Sequence, residues 1–167
     1  GEKDWSVTPP PGYTPDDDHP WIGEWGNDAS MERGRKVRWA MSMAIDRQLI
    51  ADTVMQGFSE PVYIAFHTQF NQNTPYFKEE WRIPFDPAGA KQLMIDAGFP
   101  NGFPVEFWSA PDSSVWNTEV MDAVAEMWHE HLDLDVTLDR SPYTTRRPET
   151  VTHEINIPWH HGWGRPA

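Results

Sequence analysis

The seven histidines of this chain raise the question of a metal site. His129 and His131 are two positions apart in a segment with helical periodicity, so their side chains point in directions about 200° apart. His160 and His161 are adjacent in a predicted strand and face opposite sides of it. A metal ion would therefore need further ligands, such as His153 or an acidic side chain. We expect no metal and no cofactor, and a histidine-based metal hydrolase is a minor alternative.

The remaining polar residues do not form a pattern that is typical of catalysis. The carboxylates of Asp16–Asp18 and Glu79–Glu80 occur in exposed, charged surroundings, which favours solvation over acid–base chemistry. The sequence contains no nucleophile elbow, phosphate-binding loop or dinucleotide fingerprint. It also contains no cysteine, which excludes thiolate chemistry and disulfides. The sequence thus predicts a protein that is not an enzyme.

Aromatic residues carry the stronger functional signal, since ten of the 167 residues are tryptophan. Trp108 stands near the C-terminal end of a predicted parallel strand, where open α/β sheets bind ligands. Trp159 and Trp163 flank a second such end. For Trp163 we favour ligand contact over core packing, and for Trp108 and Trp159 both interpretations are open. The candidate ligand-binding residues at these ends are Trp108, Trp159, His160, His161, Gly162 and Trp163.

Composition excludes several classes of partner. The formal net charge is −13, from 13 basic and 26 acidic residues, so nucleic acid and anionic membrane surfaces are disfavoured. The sequence has no apolar run long enough to cross a bilayer and no recognisable signal peptide.

The elements that must position these residues alternate between helix and strand. An irregular, proline-rich arm covers 1–29, and Trp21, Ile22 and Trp25 are expected to hold its end on the body. The predicted helices are 31–45 with Ser30 as N-cap, 47–56 capped by Asp46, 87–97 capped by Asp86, and 115–132. The predicted strands are 105–110, 135–140 and 155–161, and residues 142–152 are unassigned. A strand, a helix and a strand within about 35 residues imply a crossover and parallel pairing.

Several segments in this order resemble family 5 extracytoplasmic solute-binding proteins of ABC transporters, which include binders of oligopeptides, dipeptides and nickel chelates. Each motif alone is weak, but their shared order is specific. The matching segments are Val37–Arg47, Gly57 with Pro61, Phe85–Leu93, Ala97–Phe103, Glu126–Trp128 followed by Leu134–Val136, and Gly162–Trp163.

The resemblance implies an α/β fold, namely one lobe of a periplasmic-binding-protein-like fold of class II, type C, with a small mixed sheet and flanking helices. It also implies that 30–167 is a fragment of a larger two-lobe protein. The implied function is to bind a solute between two lobes and deliver it to the ABC permease subunits. The implied location is extracytoplasmic, in the periplasm or lipid-anchored at the outer face of the cell membrane.

The implied ligand is a peptide, with an oligosaccharide as the alternative. Peptide binders of the family place an aspartate three residues after the glycine–tryptophan pair, whereas this chain has Pro166 there. This departure argues against capture of a free amino terminus. Arg165 would instead suit a carboxylate or hydroxyl groups, and it joins the candidate binding residues. Arg146 and Arg147 lie in a region where peptide binders place basic residues, but the similarity assigns a role to neither.

Overall fold

The structure is a computed structural model that describes residues 18–63, 72–112 and 116–160. Helices and parallel strands alternate along most of this part of the chain. The elements are α1 (Asp28–Met43), α2 (Arg47–Leu49) continuing into a π-helical turn (Ile50–Val54), a 3-10 turn (Glu79–Trp81), α3 (Pro87–Asp96), β1 (Pro104–Ser109), α4 (Asn117–Leu132), β2 (Asp135–Asp139), α5 (Tyr143–Val151) and β3 (Trp159–His160).

The sheet has β1 in its centre, with β2 on one side and β3 on the other. Both pairs are parallel, with Val105 opposite Val136 and Trp108 opposite Trp159. The crossover through α4 and the parallel pairing are therefore confirmed, and the strands of the described ranges form no antiparallel pair.

Strand β3 is shorter than predicted. A strand was expected from residue 155, but the ladder begins only at Trp159. Pro158 has no N–H to donate, although its carbonyl accepts from the Trp108 amide at 3.1 Å. The carbonyl of Asn156 accepts from the Trp21 indole at 2.7 Å. The segment before β3 is therefore held by the N-terminal region at Asn156 and by β1 only at Pro158.

The predicted N-cap of α1 was wrong by three residues. Asn27 caps the helix, because its side chain accepts from the Ser30 amide at 3.1 Å. Ser30 is the third residue of the helix, and its hydroxyl accepts from the Glu24 amide instead. The predicted caps Asp46 and Asp86 are confirmed, since each accepts from an amide three residues ahead.

Helix α3 has the ends that its sequence predicts. Pro87 is the first helical residue, where a missing N–H costs nothing. Gly98 has φ of +92°, and the Phe99 amide donates to the Met94 carbonyl at 2.9 Å, as in a Schellman motif.

The apolar core lies between the sheet and the three helices α1, α3 and α4. Fully or nearly fully buried side chains from all of these elements form one cluster that includes Val37, Ala40, Met94, Val105, Phe107, Met121, Trp128, Leu132 and Leu134. Trp21 belongs to the same cluster, so it does hold the end of the N-terminal arm on the body. Gly34 allows this close approach, because a Cβ there would stand 3.1 Å from the Trp21 carbonyl oxygen.

The opposite face of the sheet is covered by α5, which occupies the segment that the sequence left unassigned. Pro148 lies inside this short helix, and none of the helix residues is buried. Tyr143 and Arg146, one turn apart, reach the sheet. The helix therefore packs through an aromatic and a charged side chain, without an apolar stripe.

Candidate ligand-binding site

The C-terminal ends of β1 and β3 bring three of the predicted site residues together. Trp108 and Trp159 are paired in register, and so are Ser109 and His160. The other predicted site residues, His161, Gly162, Trp163 and Arg165, lie outside the described residues, as does Pro166.

Three aromatic rings are stacked on the α5 side of this strand edge. The Trp108 ring lies 6.3 Å from the Tyr143 ring at an interplanar angle of 14°, and 5.5 Å from the Trp159 ring at 23°. Trp108 is 0% exposed, and its indole N–H donates to the Ser141 carbonyl at 2.9 Å. Trp159 is 42% exposed. The buried Trp108 ring therefore supports Trp159, which is the most exposed ring of the stack.

His160 lies on the other face of the sheet, because neighbouring residues of a strand alternate. Its Nδ1 is 3.4 Å from the Ser109 hydroxyl oxygen, and Ser109 is buried. Ala110, which follows Ser109, is also held in place, since the side-chain amide of the buried Asn117 donates to the Ala110 carbonyl at 2.7 Å. The end of β1 is thus tied both to β3 and to the start of α4.

A cavity of about 700 Å³ opens beside His160, between α1 and the segment that precedes β3. This volume is within the range of small-molecule sites in proteins. Its walls are mostly apolar or aromatic, with a few polar residues at intervals. They comprise Trp21, Ile22, Arg38, Met41, Ser42, Ile45, Phe107, Val124, Trp128, His153, Ile155, Asn156, Ile157, Pro158, Trp159 and His160.

Arg146 of α5 is the centre of a charged cluster between this helix and the sheet, on the face that carries the aromatic stack. Its guanidinium pairs with Asp139 at 2.6 Å, with Glu149 at 3.1 Å and with Glu106. Burial opposes the ionised form of Asp139, but hydrogen bonds from Ser141 and Arg146 hold the pKa of Asp139 below its usual value. Arg146 is therefore engaged by carboxylates of its own chain and fastens α5 to β1 and β2.

The histidines of α4 do not converge, as their spacing predicts. The His129 ring nitrogen lies 3.3 Å from the Leu134 carbonyl oxygen, whereas the His131 ring contacts Phe85. Within 18–63, 72–112 and 116–160, no group of three or more histidine, aspartate or glutamate side chains is arranged to hold a metal ion. Glu79 and Glu80 are exposed and pair with Arg82 and Lys78.

Sequence reasoning did not identify two contributors to this site. Tyr143 was missed because it lies in the unassigned segment, although Pro142 before it is a common residue at a helix start. Arg38 was noticed only as part of a motif, and nothing in its local pattern connects it with β3. Trp128 and Met127, in the predicted 115–132 helix, are buried in the core.

Residues 27–166 match the family model of bacterial extracellular solute-binding proteins, family 5 Middle. Heme-binding protein A of Haemophilus influenzae is 39% identical over 80 residues, which are 46% of this chain and 13% of the relative. Glutathione-binding protein GsiB of Escherichia coli is 32% identical over 79 residues, which are 47% of this chain and 15% of the relative. The matched segments thus span about one seventh of these relatives.

Solved structures agree in fold. The periplasmic binding protein AgaA of A. tumefaciens R10, in complex with agropinic acid, superposes with a TM-score of 0.60 at 22% identity, over 74% of this chain and 24% of AgaA. The murein tripeptide binding protein MppA of Escherichia coli gives a TM-score of 0.55 at 25% identity, over 74% of this chain and 25% of MppA. In the part of this chain that the structure describes, no helix is both long and apolar enough to span a bilayer.

Proposed function

This chain belongs to the family 5 bacterial extracellular solute-binding proteins, and from this premise we propose that it forms part of the substrate receptor of an ABC importer. In this role it binds a solute and passes it to membrane permease subunits, without catalysis. The charge of −13 is compatible with this role, because such a receptor needs solubility and no polyanionic partner.

The observation that carries the proposal is the aromatic stack at the C-terminal strand edge. Ligands of open α/β sheets bind at this edge. Trp159 offers an accessible indole there, and the fully buried Trp108 keeps it in place. A supported indole supplies a large contact area at little cost in rotamer entropy. We assign ligand contact to Trp159, His160 and the following residues His161, Gly162, Trp163 and Arg165, with Trp108 as the support.

The ligand that we propose first is a peptide, and an oligosaccharide is the second candidate. The names of relatives support the first class, since GsiB is a glutathione-binding protein and MppA binds a murein tripeptide. The name of heme-binding protein A adds heme to this range. The oligosaccharide remains a candidate because indole faces stack on sugar rings as well as on peptide side chains.

The mechanism that we propose is closure of two lobes about a hinge, with this chain as most of one lobe. A ligand that touches both lobes stabilises the closed state by its differential affinity for the two states. The closed, loaded receptor is the form that the permease would recognise. We place the protein outside the cytoplasm, either free in the periplasm or lipid-anchored at the outer face of the membrane.

Titration calorimetry of the two-lobed protein that carries this lobe tests the proposal, with a peptide pool and an oligosaccharide pool. We expect heat with peptides, and Trp159→Ala should weaken binding by about tenfold or more, because a supported aromatic at a binding centre is a typical hot spot. Tyr76→Ala, which also removes an exposed aromatic, is the control and should bind as the parent does. Absence of heat with either pool would contradict the proposal.

A further inference from the structure

The cavity beside His160 differs in charge from the chain as a whole. The chain has twice as many acidic as basic residues, 26 against 13. Among the described residues, no aspartate or glutamate lines this cavity, whereas Arg38, His153 and His160 do. Among the described lining residues, the permanently charged side chain is therefore the Arg38 guanidinium, which attracts an anion.

Arg38 is the permanent positive charge of the lining. It lies on α1, is exposed, and donates one N–H to the Trp21 carbonyl. In the described ranges no carboxylate lies within ion-pairing distance of it, in contrast to Arg35, which pairs with Glu32 at 2.7 Å on the same helix. A guanidinium has five N–H donors, so most of those of Arg38 remain available to a ligand.

The walls around this charge are apolar. The indole rings of Trp21 and Trp128, the Phe107 ring and the Met41 side chain contribute to them, and all four residues are buried members of the core. The positions of these rings are fixed by hydrogen bonds, since the Trp128 indole donates to the Met41 carbonyl at 2.8 Å and the Trp21 indole donates to Asn156. A ligand would therefore meet a preformed apolar surface with a cation at its edge.

We propose that this cavity binds an organic anion with a large apolar body. Its anionic group would accept hydrogen bonds from Arg38, and its apolar part would lie against Trp21, Phe107 and Trp128. Charge-assisted hydrogen bonds from a guanidinium are stronger than neutral ones, and apolar walls reduce the competition from water. This inference rests on the proposed function, which assigns ligand contact to His160, and it names the class of ligand that the cavity beside His160 would take.

The experiment compares two fluorescent probes on the 167-residue chain. Anilinonaphthalene sulfonate has an apolar ring system and an anionic group, and N-phenylnaphthylamine has the same ring system without the charge. We expect saturable binding of the sulfonate, weakened about tenfold by Arg38→Gln, as loss of a hydrogen bond to a charged group implies. The neutral probe should bind the parent and Arg38→Gln equally well.

Three further variants keep the test decisive. Arg35→Gln removes a cation of the same helix that does not line the cavity, so it should leave sulfonate binding unchanged. Arg38→Lys keeps the charge and should retain most of the affinity, which separates a loss of charge from a loss of folding. Ile45→Trp should block the cavity to both probes, whereas Ile95→Trp, at an exposed site of α3, should not.

The inference is overturned if Arg38→Gln weakens both probes equally, if it weakens neither, or if Ile45→Trp leaves sulfonate binding intact. These outcomes are distinct from failure of the proposed function. If the two-lobed receptor binds peptides in the calorimeter but Arg38→Gln leaves sulfonate binding unchanged, the proposed function stands. Only the inferred class of ligand is then wrong.

Discussion

The two faces of the small sheet are held in different ways. Val105 and Phe107 of β1 point to one face and pack into the apolar core with α4. Glu106 and Trp108 point to the other face and meet α5 through an ion pair and a ring stack. One face is thus stabilised by burial of apolar area and the other by a few specific contacts. The second face carries Trp159, so the residue that we propose to contact the ligand depends on the smaller set of interactions.

Removal of Trp128 should have the largest effect on stability. Its ring packs 5.0 Å from that of Phe107, and it is buried. Trp128→Ala should lower the free energy of unfolding by about 3–5 kcal/mol, the usual cost of a large-to-small change in a core. Chemical denaturation measures this loss. Trp128→Phe, which keeps most of the ring area, is the control, and a similar loss for both variants would mean that the hydrogen bond to Met41 dominates.

Trp108→Ala should cost less than Trp128→Ala although Trp108 is fully buried. Its neighbour Trp159 is partly exposed and can move into part of the space, so we expect a loss of about 3 kcal/mol, at the low end of the range for aromatic truncation. The variant should also weaken ligand binding in the two-lobed protein, because Trp159 loses its support. Chemical denaturation and calorimetry measure the two effects. Binding at the parent affinity would show that the stack is purely structural.

Arg146→Met should have an intermediate effect, since it leaves Glu106, Asp139 and Glu149 without their common cation. Loss of the partner of a fully buried charge costs several kcal/mol, but these groups are partly exposed, so we expect about 1–2 kcal/mol. The matched control is Arg35→Met, which breaks an exposed pair within one helix and should cost about 0.5 kcal/mol or less. Equal losses in urea denaturation would mean that the cluster does not fasten α5.

Acid should weaken the α5 face through Asp139. The pKa of this carboxyl is lower in the folded than in the unfolded chain, so its contribution is complete above its ordinary pKa of 3.8 and disappears as the pH falls through the lower folded value. Asp139→Asn should therefore reduce the slope of stability against pH below about pH 5. Denaturation at a series of pH values measures the slope. Parallel curves for parent and variant would exclude Asp139 as a source of acid sensitivity.

Local patterns predicted most of the elements because the interactions that define them span only a few residues. The caps Asp46 and Asp86 bond to amides three residues ahead, and the turn at Gly98 closes on the same helix. Helix α5, which the sequence left unassigned, shows where prediction from local patterns fails. It has no apolar stripe that periodicity could detect, and Pro148 within it argues locally against a helix.

The candidate site could be predicted less completely from the sequence than the helices and strands, because it depends on tertiary structure. The sequence placed Trp108 and Trp159 at strand ends but left open whether each contacts ligand or core. The register between β1 and β3 stacks the two rings, so that Trp108 is buried and, of this pair, only Trp159 is exposed.

The sequence by itself determined the order of the helices and strands apart from α5, the parallel crossover and the resemblance to a family. Only the tertiary structure placed Arg38 at the cavity beside β3 and Arg146 among three carboxylates. Those contacts join residues that are far apart in the chain, as in the pair of Arg146 with Glu106, forty positions away. Such contacts leave no local pattern, because their free energy arises only when the packed sheet and helices bring the partners together.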